Sequence, residues 1–318
     1  TPKDCKTIFE ILKKYGVCYF FYIGGNDSAE TAHIINQEAK KVNYNLCCFH
    51  IPKTIDNDLL ENDHTPGFGS AARFVACALQ GIDLDNRALP GVHISVIMGR
   101  HAGFLTAASA LGRKDPDDGP HLIYLPERAF SMKRFISDVK RIYKKYGRCL
   151  VAVSEGIADS KGEAIIAKYT KETDSHGNVQ LSGTGALGDL LAEQIKAHTD
   201  ISRVRSDTFG YLQRSFPTIV STVDAGEARN VGTAAVRYAC SGNTDGSIAI
   251  CRAPGKKYKV SFKKVALHKV AHNTKHMPAS FINKDGNDVT RAFFDYASPI
   301  VGELPKVAKL KAVPVKKK

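Results

Sequence analysis

Short apolar runs alternate along the chain with longer stretches in which apolar residues recur every three or four positions. The runs are too short for helices and have the length of buried strands, and they lie at residues 17–23, 46–51, 92–98, 121–125 and 150–153. Strands of this kind, separated by amphipathic helices, are typical of a parallel α/β protein.

Helices are predicted in the stretches between these runs, at residues 29–41, 101–111, 131–146, 186–198 and 224–242. Two of them have the pattern of an N-cap followed three residues later by a glutamate, namely Asp27 with Glu30 and Asp224 with Glu227. Gly147 follows the helix at 131–146 and predicts its end. Residues 158–182 are polar and predict an excursion or hairpin, and residues 253–290 are basic and less regular.

The composition is that of a packed globular protein, with 43% hydrophobic and 24% charged residues over 318 positions, a length that allows about two domains. It excludes a disordered, collagenous or coiled-coil chain, and the absence of a run of 18 apolar residues argues against a membrane span. None of the eight cysteines forms a C-x-x-C pair, so we expect no zinc ribbon or redox motif. A reducing, cytoplasmic setting is the simplest interpretation.

The formal net charge of +13 favours anionic partners. Part of this charge lies in the lysines of residues 306–318, which we interpret as a solvated tail. A nucleic-acid arm is the alternative, but no aromatic residues are interleaved with these lysines, so we expect no nucleic-acid partner.

The first candidate site is the sequence GGNDS at residues 24–28, between a predicted strand and a predicted helix. Two glycines allow close approach of a ligand, and a helix N-terminus offers N–H groups to a phosphate. The carboxylate of Asp27 fits such a site if Mg²⁺ lies between it and the phosphates. The alternative is a tight turn in which Asp27 only caps the helix.

The second candidate site is the sequence PKTIDND at residues 52–58, just after a predicted strand, where open α/β sheets bind ligands. Asp56 and Asp58 together with Lys53 can act as base, metal ligand and phosphate ligand. The alternative is an ordinary polar loop.

Two arginine-containing segments complete the candidates. Arg100 ends the sequence MGR at another strand end and can reach a phosphoryl group. Arg205, Tyr211 and Arg214 lie within ten residues and suit a sugar-phosphate pocket, although either segment alone is weak evidence. The glycine patterns at 67–72 and 183–188 lack a clear preceding strand, so we do not expect a dinucleotide site. No histidine spacing indicates zinc.

Taken together, these segments resemble those of the 6-phosphofructokinases. The most specific match is PKTIDND, and the others follow in family order: GFGSAA at 67–72, MGRHAGF at 98–104, LPE at 125–127, SEG at 154–156, FGYLQRS at 209–215, DAGEARNVG at 224–232 and NKDGNDVT at 283–290. The resemblance covers nearly the whole chain. It implies an α/β fold of two doubly wound, Rossmann-like, three-layer domains with the active site in the cleft between them.

The resemblance implies a phosphoryl transfer carried out by residues of these motifs. Asp56 would be the base that takes the proton from the C1 hydroxyl of fructose 6-phosphate, and Asp58 would support it and help to bind metal. Thr54 would contact the sugar or the transferring phosphate. The partners implied are a sugar phosphate and a phosphoryl donor, with Mg²⁺ as cofactor.

The remaining roles concern the sugar phosphate. Met98, Gly99 and Arg100 would line its site, with Arg100 also stabilising charge on the transferring group, and Glu155 would hold sugar hydroxyls. The 6-phosphate would be bound by three side chains, which are Arg205, Tyr211 and Arg214. The resemblance implies a homo-oligomer in which Arg205 serves a neighbouring subunit.

Two positions resemble the diphosphate-dependent branch of the family. ATP-dependent members typically have glycine where this chain has Asp27 and Lys53. A carboxylate at 27 would repel the inner phosphate of a nucleotide, and a lysine at 53 suits compact diphosphate. The donor would then be diphosphate, bound by Gly25, Asn26 and Asp27 with catalytic help from Lys53, and the products would be fructose 1,6-bisphosphate and phosphate.

The chain departs from the family pattern at three points. The opening strand and its glycine-rich phosphate loop are absent, which indicates a fragment or truncated form. Asn26 replaces an aspartate common in this loop, so Asp27 would serve Mg²⁺ alone. Gly91 stands where many ATP-dependent members place a sugar-phosphate arginine.

The resemblance also suggests how the domains divide. We expect a phosphoryl-donor domain at 1–93 and 209–255, and a sugar-phosphate domain with the basic tail at 94–208 and 256–318. Two alternatives keep the family: an ATP-dependent 6-phosphofructokinase, and a catalytically silent regulatory subunit, which the missing loop and Asn26 would favour.

Overall fold

The structure, a computed structural model, describes residues 2–168, 185–255, 257–271, 273–309 and 315. The strands in this part of the chain are β1 Tyr19–Gly24, β2 Cys47–Pro52, β3 Val92–Ile97, β4 Leu122–Tyr124, β5 Cys149–Ser154, β6 Val204–Thr208, β7 Asp245–Arg252 and β8 Val260–Val265. The helices are α1 Pro2–Lys14, α2 Asn26–Lys41, α3 Phe68–Ala88, α4 Phe104–Ala107, α5 Met132–Tyr146, α6 Ala186–His198, α7 Thr222–Cys240, α8 Leu267–Val270 and α9 Arg291–Val301. Short 3₁₀ turns lie at Ala108–Gly112, Ile165–Lys168, Gly210–Arg214 and Ala279–Phe281.

The strands form two sheets of four. The first has the order β1-β2-β7-β8, in which β8 alone is antiparallel, and its β2–β7 ladder pairs Cys48 with Asp245. The second has the order β4-β5-β3-β6 and is entirely parallel, with Val92 opposite both Cys149 and Val204. Parallel sheets place the carboxyl ends of their strands along one edge, which is where ligands bind in α/β proteins.

Helices cover both faces of each sheet, as doubly wound domains require. In the second sheet, the apolar side chains of β3 and β5 pack on α5 and α6 on one face and on α3 and α4 on the other. The first sheet packs on α1 and α2 through Ile35 and Cys48, and on α7 through Phe49 and Val231. The predicted α/β class with two three-layer units is confirmed.

The predicted strands all form, with ends shifted by up to two residues. The helix predicted over 131–146 begins at Met132 after the N-cap Ser131 and ends at Gly147, whose φ is +69°. The helix predicted over 101–111 is different: only Phe104–Ala107 is α-helical and a 3₁₀ turn follows. Its small residues are buried against α3. Seven helices and strands in the described residues had no prediction, and these are α1, α3, α8, α9, β6, β7 and β8.

Both predicted aspartate caps are wrong. Helix α2 begins at Asn26 after the N-cap Gly25, and Asp27 lies in its first turn, where a carboxylate interacts favourably with the helix dipole. Helix α7 is capped by Ser221, whose hydroxyl accepts from the Asp224 amide at 3.3 Å. Asp224 therefore lies in the first turn of α7, and its carboxylate binds the start of α3 instead.

Three segments add to the expected organisation. β8 pairs with β7 and therefore extends the first sheet, although the expected division assigns 256–318 to the other domain; that division stays a prediction. Lys309 is not simply solvated, since its ammonium pairs with Asp115 and Asp118. The predicted excursion at 158–182 begins with a bridge between Ala158 and Ala164, and residues 169–184 lie outside the described residues.

The remaining expectations concern membranes and thiols. Among the residues described, no helix combines the length and hydropathy that a membrane span requires. All eight cysteines are free thiols.

Candidate active site

A cleft of about 910 Å³ lies where β1, β2, β3 and β5 end. It brings together most of the residues selected from the sequence, which are Gly25, Asn26, Asp27, Lys53, Thr54, Asp56, Asp58, Met98, Arg100, Glu155, Tyr211 and Arg214. Gly99 lies directly behind its wall, and Arg205 does not line it. Five separate chain segments therefore meet at one edge of the two sheets.

One wall of the cleft is the turn from β1 into α2. Asp27 is exposed in the first turn of α2, and the side chain of Lys53 is exposed beside it in the cleft lining. The Lys53 amide donates to the carbonyl of Gly24 at 2.9 Å, which ties the loop after β2 to this turn. A carboxylate and an ammonium are thus placed on the same side of the cleft.

The floor of the cleft is the loop after β2. A bridge between Thr54 and Gly67 fixes its start, and the Asp56 amide donates to Oγ1 of Thr54 at 3.2 Å. Asn57 has a φ of +59° and is fully buried, so the chain turns sharply between Asp56 and Asp58. Asparagine tolerates this left-handed conformation better than most residues.

The two carboxyl groups of this loop have altered acidity. Burial raises the pKa of Asp56 to about 7, with further contributions from Asp58 and Glu155, whereas Arg100 and Arg214 act in the opposite direction. Burial also raises the pKa of Asp58, although a hydrogen bond of 2.7 Å from Nδ2 of Asn26 favours its ionised form. A carboxyl group with a pKa near 7 is suited to general base catalysis at neutral pH.

The loop rests on a buried polar cluster that includes His64. Its Nδ1 lies 2.7 Å from Oδ2 of Asp63 and its Nε2 lies 2.5 Å from Oε2 of Glu227, and these carboxylates raise the pKa of the imidazole against the effect of burial. The Tyr258 hydroxyl donates to the other oxygen of Glu227 at 2.6 Å. The residues after PKTIDND are therefore attached to α7.

The opposite wall is formed by the residues after β3 and β5. Gly99 has a φ of +142°, and a Cβ at this position would lie 2.6 Å from the Ala102 carbonyl oxygen. Gly156 packs against the backbone of Arg100, since a Cβ there would lie 1.9 Å from the Arg100 carbonyl oxygen. The Gly99 amide points to Oε1 of Glu155 at 3.5 Å. Arg100 and Glu155 are thereby held close to Asp56.

The remaining predicted residues separate into two groups. The guanidinium of Arg214 lies 4.7 Å from the ring centre of Tyr211, and both side chains line the cleft. Arg205 is exposed on the edge strand β6. Within this chain the arginine cluster expected at 205–214 is therefore divided.

Two residues that line the cleft were not assigned to the site from the sequence. Oε1 of Gln213 accepts from the Met98 amide at 3.1 Å and joins the end of β3 to the turn at Gly210–Arg214. The carboxylate of Asp224 accepts from the amides of Gly67 and Ser70 at 2.8 and 2.9 Å. The partners of Gln213 and Asp224 are remote in sequence, so local spacing could not predict these contacts. The one available signal was that both residues lie within motifs of the resemblance.

Oxygen atoms suitable for Mg²⁺ are present beside the donor wall. No cluster of three metal-ligating His, Cys, Asp or Glu side chains occurs in the described part of the chain. Mg²⁺ bound together with phosphates needs only one or two carboxylates. Asp27 offers one, and Oδ1 of Asn26 is buried without a hydrogen-bond partner beside it. The donor set therefore fits a magnesium ion that shares its ligands with a phosphate substrate.

A protein-family model described as phosphofructokinase matches residues 1–239 of this chain. The pyrophosphate–fructose 6-phosphate 1-phosphotransferase of Rhodospirillum rubrum is 60% identical over 302 residues, which cover 94% of this chain and 74% of that protein. The enzyme of the same name from Xanthomonas campestris is 40% identical over 325 residues, covering 98% of this chain and 77% of the relative.

Among solved structures, the pyrophosphate-dependent phosphofructokinase from Marinobacter aquaeolei superposes with a TM-score of 0.82 at 31% identity. The match covers 100% of this chain and 78% of that one. Similarity therefore extends well beyond the short motifs that line the cleft.

Proposed function

Given that the chain belongs to the phosphofructokinase family, we propose that it transfers a phosphoryl group from diphosphate to the C1 hydroxyl of fructose 6-phosphate in a Mg²⁺-dependent reaction. The products are fructose 1,6-bisphosphate and phosphate. The names of the relatives from Rhodospirillum rubrum and Xanthomonas campestris support this choice of donor and acceptor.

One observation carries the proposal: a carboxyl group with a pKa of about 7, Asp56, shares a cleft with Arg100 and with Lys53. The three groups supply a base, a cation for the transferring group and a cation for the donor. Phosphoryl transfer depends mainly on such positioning and charge neutralisation.

On the acceptor side, Asp56 takes the proton of the C1 hydroxyl. The oxygen's electron pair then forms a bond to the terminal phosphorus of diphosphate, and the bond from that phosphorus to the bridging oxygen breaks. The bridging oxygen keeps that electron pair and leaves with inorganic phosphate. Arg100 stabilises the charge on the phosphoryl group during the transfer.

The sugar phosphate is held by two groups of residues, one for the sugar and one for the 6-phosphate. Met98 and Glu155 line the sugar, with Gly99 behind them in the wall, and the Glu155 carboxylate accepts from the sugar hydroxyl groups. Tyr211 and Arg214 bind the 6-phosphate at the cleft rim, where Arg214 offers the planar donor pair that suits a phosphate. Thr54 and Asp58 complete the floor beneath the reacting atoms.

On the donor side, Gly25 and Asn26 would lie against the diphosphate, and Asp27 would hold Mg²⁺ together with the buried, unpartnered Oδ1 of Asn26. The ion, when bound, neutralises negative charge on the diphosphate oxygens. Lys53 contributes a point charge on the same side. The Asp27 carboxylate in the first turn of α2 would repel the inner phosphate of a nucleotide.

The proposal includes a setting and an assembly. Free thiols at all eight cysteines support a reducing, cytoplasmic compartment. A homo-oligomer is supported by Arg205, which is exposed on an edge strand of the second sheet and would bind the sugar phosphate in a neighbouring subunit.

The proposal is tested by a coupled assay for fructose 1,6-bisphosphate with Mg²⁺ and either diphosphate or ATP. We expect turnover with diphosphate alone. In the double variant Asp27→Gly/Lys53→Gly we expect weaker use of diphosphate and a gain of ATP use, because the carboxylate that repels a nucleotide has been removed.

The matched control is Lys284→Gly, which replaces an exposed loop lysine that does not line the cleft. An unchanged donor preference in the double variant would refute the selector role of Asp27 and Lys53. Turnover of the unmodified chain with ATP would assign the ATP-dependent reaction, and no turnover with either donor would favour a silent subunit.

A further inference from the structure

The loop that carries Asp56 and Asp58 is attached to a lysine more than 200 positions away in the sequence. Nζ of Lys275 donates to the carbonyl oxygens of Asn62 and Asp63, each at 2.9 Å. It also lies 3.4 Å from Oδ1 of Asn57. The Lys275 backbone amide donates to the Asp58 carbonyl at 2.7 Å. One residue thus makes four contacts with a single loop.

This lysine is held inside the protein. Its ammonium lies 5.0 Å from the ring centre of Phe104, in the helix that follows the MGR motif. Burial lowers the pKa of Lys275 to about 8, while Asp63 and Asp58 act in the opposite direction. Burying a cation is costly unless its donors are satisfied, and here all three N–H groups have an oxygen acceptor.

The contacts of Lys275 converge on the turn at Asn57. Oδ1 of Asn57 accepts from the Thr65 amide at 3.1 Å, and its Nδ2 donates to the Tyr296 hydroxyl at 2.7 Å. That hydroxyl in turn donates to the Asp63 carbonyl at 2.8 Å, the same oxygen that Lys275 contacts. The left-handed residue between the two carboxylates is therefore braced by one shared set of hydrogen bonds.

We propose that Lys275 is a positioning residue for phosphoryl transfer, which fixes the turn at Asn57 from beneath and so aims Asp56 and Asp58 into the cleft. The inference rests on the proposed function. Lys275 itself does not line the cleft, whereas its neighbour Thr274 does. Its effect therefore passes through the loop and not through contact with substrate.

The kinetic test compares Lys275→Met with the matched control Lys269→Met, an exposed lysine of α8 in the preceding segment. Because small displacements of a catalytic group are costly, we expect Lys275→Met to lower kcat by about 10- to 100-fold. KM for both substrates should stay unchanged, since the ligand-binding walls are intact. The control should have the kcat of the unmodified chain.

A second readout does not depend on activity. Hydrogen exchange of the amides at 53–65 should be faster in Lys275→Met than in the unmodified chain and unchanged in Lys269→Met. Equal exchange in this loop, or a kcat that falls only in proportion to the folded fraction, would overturn the proposal.

The outcomes distinguish failure of the proposed function from failure of the positioning role of Lys275. If the unmodified chain has no turnover, the proposed function fails, and the exchange experiment still decides whether Lys275 holds the loop. If Lys275→Met does not fold, Lys275→Gln, which keeps a donor without the charge, carries both measurements. A folded Gln variant with lower kcat at unchanged KM and faster exchange at 53–65 supports the proposal. Wild-type kcat and exchange would overturn it.

Discussion

Asp56 is the side chain whose ionisation the cleft controls most strongly. Burial raises its pKa to about 7, and the nearby carboxyl groups of Asp58 and Glu155 act in the same direction. Two arginines oppose this effect and keep the ionised form accessible. The residue is thus poised between an acid and a base near neutral pH.

The ionisation of Asp56 predicts the pH dependence of both reaction directions. Formation of fructose 1,6-bisphosphate needs the carboxylate, so kcat should rise as pH increases through about 7 and level off above it. The reverse reaction needs the protonated acid and should lose rate over the same range. Initial rates in both directions between about pH 6 and pH 8 provide the measurement.

Replacing Asp56 should remove the rise of kcat with pH. Asp56→Asn is expected to lower kcat by about 10²- to 10⁴-fold, the usual contribution of general base catalysis. Asp285→Asn, at an exposed loop position, should leave the profile unchanged. A forward rate that does not vary over this pH range in the unmodified chain would contradict the assignment of Asp56.

Asp224 shows how one element positions another. From the first turn of α7 its carboxylate accepts hydrogen bonds from the amides of Gly67 and Ser70 and from the Ser70 hydroxyl. These groups lie at the N-terminus of α3, whose first N–H groups have no partner within the helix. One side chain therefore serves as the cap of a helix to which it does not belong.

This role predicts a loss of stability when the carboxylate is removed. Asp224→Ala should lower the free energy of unfolding by about 1–3 kcal/mol, because buried donors lose their acceptor. Asp295→Ala, which removes an exposed pair with Arg291, should cost less than about 1 kcal/mol. Urea denaturation of the two variants measures the difference, and equal midpoints would rule out the capping role.

The same residue shows what local sequence patterns reveal and what they miss. The pattern Asp224 with Glu227 predicted a helix start, and a helix does start there, but the acceptor of the Asp224 amide is Ser221. The partners of the Asp224 carboxylate are about 150 positions away. Spacing reports contacts within one element, whereas this contact depends on how two elements pack.

Helix α3 was missed for a related reason. Most residues in its first half are small or apolar, and nine of its residues are buried, among them Phe68, Val75 and Leu79. A helix of this kind lacks the polar face that gives an amphipathic period. The strands at 92–98 and 150–153 could be predicted because a short, continuous apolar run is typical of a strand that is buried on both faces.

In the whole molecule, most of the candidate site was foreseeable from the sequence. Strand ends carry the motifs at 52–58 and 98–100, and parallel sheets bring such ends to one edge. Arg205 was grouped with Arg214 by proximity in sequence, but a strand end and a turn separate them. Lys275 lies in a segment whose only visible feature was its basic character.

The strand orders of the two sheets have a consequence for the order in which the molecule folds. The second sheet uses strands from one continuous stretch, Val92 to Thr208. The strands of the first sheet are not continuous in sequence. Cys48 in β2 pairs with Asp245 in β7, and the whole of the stretch that forms the second sheet lies between them. Closing so long a loop is entropically costly until its interior has collapsed.

We therefore expect the middle of the chain to fold before its beginning. In refolding followed by pulsed hydrogen exchange, amides of Val92–Ile97 should become protected earlier than those of Cys47–Pro52. Simultaneous protection would argue for a single concerted step. On a ribosome, β1 and β2 would emerge before β3 to β6 but complete their sheet after them, so the cleft would form only once β7 has been synthesised.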